Sequence, residues 1–60
     1  MGYVIQNCET GAYVTPSGSE KSYTRDVAQA RVFSTKEGAS RECCGNERVV
    51  PLESLFPARN

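Results

Sequence analysis

No histidine occurs among the 60 residues. That removes the commonest general base and transition-metal ligand at neutral pH. A charge surplus is missing too, since seven Lys and Arg side chains balance seven Asp and Glu, giving a formal net charge of zero. Neutralising several phosphates takes an excess of cations on one face, so nonspecific nucleic-acid binding is disfavoured, although a local patch is not removed by the total. No run approaches the ~20 apolar residues that a bilayer-spanning helix needs. Met1-Gly2-Tyr3-Val4-Ile5 has no cationic side chain, and its apolar run stops at Gln6. The expectation is no signal peptide and no membrane contact. Gln6 also stands where a myristoylation pattern wants Ser or Thr. A cytoplasmic location is therefore expected, where three cysteines, an odd number, stay as free thiols.

What is present is a set of short apolar clusters in a chain long enough for one small domain, residues 1–60. A domain of this size buries only about 60% of its unfolded surface, so its stability margin is narrow. Tyr3-Val4-Ile5-Gln6 is β-branched and aromatic, as strands prefer. Asn7 to Gly11 begins and ends in turn formers, and Ala12-Tyr13-Val14-Thr15 follows as a second strand, so the pair predicts a hairpin. Gly11 is the expected left-handed residue. Pro16 to Ser22 is polar and rich in breakers. Thr24 is placed to cap a short helical turn over Asp26 to Gln29, with Val27 and Ala30 facing the core. Arg31-Val32-Phe33 reads as a third strand with Val32 and Phe33 on opposite faces.

Ser34-Thr35-Lys36-Glu37 has the capping-box spacing and predicts a helix running to about Cys44, ended by Gly45. Ala39 and Cys43, four apart, share one face of it. Glu47 to Leu52 reads as the last strand, with Pro51 at a sheet edge. Leu55-Phe56-Pro57 is expected to fold back and residues 57–60 to fray. The order is β-β-(short α)-β-α-β. The expected class is α+β, a three- or four-stranded, mainly antiparallel sheet with one helix packed on a face, ordered over about residues 3–56. Tyr3, Val4 and Ile5 are all apolar. Either both sheet faces are partly covered, or the chain self-associates.

Chemistry finds little to work with. Cys43 and Cys44 fall at a predicted helix C-terminus, where the dipole disfavours a thiolate, and Arg41 and Arg48 offset this only in part. Structural zinc takes four ligands, whereas only Cys8 and an adjacent cysteine pair are available. The expected role of Cys43 is that of a small buried hydrophobe, with Cys44 pointing away. Asp26 and Glu37 have local uses in first helical turns, and a chain this short has little to wall off a dry cleft. Thr10-Gly11 and Ser17-Gly18-Ser19 lack the following Gly-Lys-Ser/Thr of a phosphate cradle. No catalytic residue, metal site or cofactor is expected, and the chain reads as non-enzymatic.

The candidate binding surface is Tyr13, Lys21, Tyr23, Arg25 and Arg31. Tyrosine and arginine are favoured anchors of protein interfaces. Tyr3, Tyr13 and Tyr23 with the neighbouring cations form the alternative, a stacking platform for a single nucleic-acid strand.

Tyr3-Val4-Ile5, Thr10-Gly11-x-Tyr13, Ala30-Arg31-Val32-Phe33-Ser34-Thr35 and the closing Val49-Val50-Pro51 together resemble a recurring small phage module, over about residues 3 to 52. In length and opening the chain is similar to the small early-region proteins of lambda-like temperate bacteriophages encoded between the exonuclease and excisionase genes. The resemblance implies an accessory protein made soon after phage entry or induction and acting in the bacterial host cytoplasm. It implies a role dispensable for phage assembly, from a segment associated with altering host cell-cycle and replication control. It supplies no catalytic residues. It favours binding to a host or phage protein without identifying that partner.

Overall fold

Val4 and Ile5, adjacent in sequence, are both at 0% exposure. Neighbours on an extended strand point to opposite faces, so this pair requires a sheet covered on both sides. The computed structural model, which describes residues 2–55, builds that arrangement around a central strand β1 (Tyr3–Asn7). β2 (Tyr13–Val14), β3 (Tyr23–Thr24) and β4 (Glu47–Pro51) complete a four-stranded antiparallel sheet in the order β3-β2-β1-β4. The main helix, α1 (Lys36–Glu42), packs on one face. A 3-10 turn (Val27–Gln29) and one helical turn, α2 (Leu52–Leu55), complete the elements. The class is α+β, as the sequence predicts.

Register assigns the faces. Opposed residues Ile5 and Val49 share the α1 face, and Val4 and Val50 share the other. On the α1 face Ile5 packs with Phe33 and Ala39, flanked by Tyr3, Val14, Cys43 and Val49. On the second face Val4 packs with Ala30 and Val50, flanked by Tyr13, Leu52 and Leu55. Each fully buried aliphatic side chain contributes about 1.5–3 kcal/mol of transfer free energy. The apolar surplus of the first strand is thus taken up within the chain, so self-association is not needed to cover it.

The first hairpin has its predicted form. The Asn7 Oδ1 accepts from the Glu9 and Thr10 N–H groups at 2.8 and 3.0 Å, holding the turn that side-chain acceptors favour. Gly11 closes it at φ 80°. The second hairpin was not expected. Thr15 N–H donates to the Ser22 carbonyl at 3.1 Å and its hydroxyl donates to the Lys21 carbonyl. These bonds turn the breaker-rich stretch back, so Tyr23–Thr24 pairs with β2.

Arg31 to Phe33 is therefore not a third strand. Phe33 makes an isolated bridge to Tyr3, with N–H to carbonyl bonds of 2.9 and 2.8 Å in the two directions. Arg31 N–H donates to Val14 at 2.9 Å. β2 opposes β1 at Gln6 only, so the rest of that β1 edge is open to this returning segment. Val32 and Phe33 do fall on opposite sides, at 55% and 9% exposure.

Cap positions also differ from expectation. The 3-10 turn is capped by Asp26, whose carboxylate accepts from Ala28 N–H at 3.0 Å, while the Thr24 hydroxyl accepts from Asp26 N–H. Val27 is half-buried, and Ala30 alone of that pair is buried. Thr35 rather than Ser34 caps α1, its hydroxyl accepting from Gly38 N–H at 3.0 Å. The helix stops at Glu42, and Cys43 is already extended. Gly45 has no positive φ; the last turn closes through Cys43 N–H to the Ser40 carbonyl at 3.2 Å, and Glu47 holds the turn that follows. Its carboxylate accepts from Cys44 N–H at 3.0 Å and its N–H donates to the Cys44 carbonyl at 3.1 Å. The expected fold-back of Leu55 is seen in its packing against the Val4 cluster. Phe56, Pro57 and the fraying expected of the tail lie outside the described residues.

Candidate binding groove

The β2–β3 hairpin and Gln29 of the 3-10 turn line a half-open groove of about 720 Å³ beside β3, a volume within the range of ligand pockets. Lys21 and Arg25, both exposed, line it together with Tyr23. Thr15, Ser19, Thr24 and Gln29 supply neutral donors and acceptors, and Glu20 is the acid in the lining. Two cations against one acid leave this lining with one net positive charge. Gly18, at φ 88°, makes the tight return that brings Ser19 to Lys21 against β3. The Asp26 cap orients the turn that carries Gln29.

The predicted surface is therefore only partly assembled. Lys21, Tyr23 and Arg25 come together. Tyr13 does not join them, since it packs against Val4, Ala30 and Val50 on the face away from α1. Arg31 lies over the Phe33 ring, its Cζ 4.5 Å from the centroid, a cation–π position. The three tyrosines do not all lie on one face. Tyr3 and Tyr23 lie on the α1 side and Tyr13 on the other, as Gln6↔Tyr13 and Val14↔Tyr23 dictate. Tyr3 is packed beside Ile5.

Tyr23 has a second attachment. Its hydroxyl donates to Glu47 Oε2, so a side chain on one edge strand reaches a side chain on the other. The shared bond holds the Glu47 carboxyl below the ordinary carboxylate range, helped by Cys44 N–H, and raises the Tyr23 phenol. Both shifts stem from one proton held between the two groups. A carboxylate at the ring's polar end makes this a poor stacking site for a phosphate-linked strand.

Cys43 is half-buried against the Ile5 cluster and not enclosed as expected. Burial, followed by the nearby Glu47 charge, pushes its thiol pKa up, the direction opposite to nucleophile activation. Cys8 and Cys44 are free and exposed. Among the described residues no group of three or more Cys, Asp or Glu side chains is arranged to hold a metal ion. No described helix is long and apolar enough to cross a membrane.

Lys21, Tyr23 and Arg25 were accessible to sequence reasoning because they cluster in one breaker-rich, cationic stretch. Thr15 and Gln29 were not. They reach the groove only through the hairpin bonds and the Asp26 cap, which residue type alone does not announce. No protein-family model, curated protein or solved structure matches the chain.

Proposed function

We propose that this chain is a small non-enzymatic binding protein, a phage accessory factor acting in the host cytoplasm through contacts with a host or phage protein. The observation that carries the reading is the groove beside β3, where Lys21, Tyr23 and Arg25 meet a row of neutral hydrogen-bonding side chains. The apolar side chains of the central strand are used within the fold on both sheet faces, which leaves the polar groove as the surface favoured for a partner. The phage assignment rests on the sequence resemblance alone.

Two further points favour binding over chemistry. Partial burial shifts the Cys43 thiol up, away from the thiolate, and Glu47 is occupied by Tyr23 and Cys44. Neither group is poised to react. Nucleic-acid binding is the weaker alternative, because Tyr13 lies on the face opposite Tyr23 and Tyr3 is packed beside Ile5, so no row of stacking rings forms.

Capture of a tagged chain's partners from infected cells, compared with a Lys21→Glu/Arg25→Glu variant, tests the proposal. The expected result is a protein retained by the native chain and lost by the variant. A strict monomer that captures nothing contradicts it. So does single-stranded DNA affinity that falls steeply with salt and vanishes in the variant.

A further inference from the structure

We infer that the occupant of the groove is an extended, acidic peptide segment of the partner, added as a strand to the outer edge of β3. This inference rests on the binding role just proposed and specifies its ligand class.

The first argument is the direction of main-chain groups. Thr15 N–H bonds Ser22 O, and Tyr13 opposes Thr24. Alternation along an antiparallel ladder then makes Ser22 and Thr24 the residues whose main-chain groups face β2. Tyr23 N–H and C=O face outward, beside the groove. An unpaired strand edge is a template for another chain, and an extended peptide supplies the complementary groups.

The opposite edge, β4, has most of its outward groups taken. Tyr3 bonds Phe33 in both directions, and Leu52 N–H bonds the Gly2 carbonyl at 2.9 Å, so Glu47, Val49 and Pro51 turn their main-chain groups outward from β4. Pro51 has no N–H, and its carbonyl accepts from the Ser54 hydroxyl at 2.8 Å. Glu47 N–H is taken by Cys44 O. Only Val49 could offer a full pair there. Of the two edges, β3 is the one whose outward groups open beside a lined groove.

Charge selects the peptide. Lys21 and Arg25 lie on either side of Tyr23 in sequence, and both line the groove. A segment with carboxylates at alternate positions presents them on one side, matching these cations, while Glu20 opposes acid at its own position. The paired edge is short, so the contact is of the weak, transient kind.

The test is fluorescence anisotropy on the full chain with labelled short peptides of alternating valine and aspartate. Matched probes replace aspartate by lysine, or N-methylate the central amide, and oligodeoxythymidine serves as the nucleic-acid probe. The aspartate peptide is expected to saturate, and the lysine version to bind at least about tenfold more weakly. N-methylation, which removes one main-chain donor, should weaken binding by roughly three- to tenfold. Lys21→Glu/Arg25→Glu should abolish binding and Glu20→Gln should tighten it. The second change keeps the result interpretable should the charge reversal unfold the hairpin. Absence of saturable binding by the aspartate peptide overturns the inference, as does indifference to N-methylation, or groove-dependent capture of the oligonucleotide instead. If the charge reversal loses a cellular protein partner while no acidic peptide binds, the peptide class falls and the groove as a protein contact survives.

Discussion

Replacing Val4 by Ala and, separately, Ile5 by Val should each destabilise the fold more than an exposed control, although the side chains point in opposite directions. Both residues are at 0% exposure, Val4 against Ala30 and Val50, Ile5 against Phe33 and Ala39. Ile→Val at a closed site costs about 0.5–1.5 kcal/mol. Val→Ala removes two methyl groups at about 0.8 kcal/mol each, and the cavity left behind brings the total to roughly 2 kcal/mol. For a domain of this size each kcal/mol lowers Tm by about 4–8 °C. Val32→Ala is the control, since Val32 is 55% exposed, and should stay within about 0.5 kcal/mol. Urea melts followed by far-UV circular dichroism measure all three, with an unchanged m-value licensing the comparison. A sheet covered on one face only would leave either Val4→Ala or Ile5→Val at the level of the control. That outcome would refute the two-sided core.

Thr35→Ala should cost about 1 kcal/mol by removing the α1 cap, and Ser34→Ala only a few tenths, checked by the same melts; equal effects would restore the capping box read from sequence. Glu47 titrates below its ordinary value in the folded chain, so its contribution is present above the ordinary carboxylate pKa and is lost as pH falls through the lowered folded value. Tyr23→Phe removes the first cause of that shift, and should make stability less dependent on pH below about 4.3. An unchanged acid limb would sink this attribution. Cys43, whose thiol is shifted up by burial, should alkylate with iodoacetamide more slowly than the exposed Cys8 and Cys44 at pH 8, read by peptide mass spectrometry. Faster modification of Cys43 would mark it as an activated thiol.

Legibility from the sequence followed the range of the interactions. The first hairpin, the helix after Ser34 and the last strand are set by local pattern, and each appears near its expected place. Caps shifted by a residue or two because Ser34 and Thr35 are chemically alike, and only Gly38 N–H chooses between them. Gly45 lost its expected role because the helix ends two residues earlier, in the extended Cys43 whose N–H bonds the Ser40 carbonyl. β3 was hidden because its pairing depends on Thr15 bonds that reverse a stretch composed like a loop. Arg31 to Phe33 had strand composition, but the edge it meets is shared with β2, which leaves room for one bridge. For the site, the cations and Tyr23 were legible as a cluster. The departure of Tyr13 and Arg31 was not, because it follows from sheet register and from the place of Phe33.

Nitrogen–proton correlation spectra of the labelled chain, titrated with the alternating aspartate peptide, test the groove most directly. The account predicts saturating shifts at the Lys21, Tyr23 and Arg25 amides, with Cys8, Cys44 and the outward Val49 amide of β4 unmoved. Shifts centred on the Cys43–Glu47 turn or along β4, or no shifts at all, would contradict it.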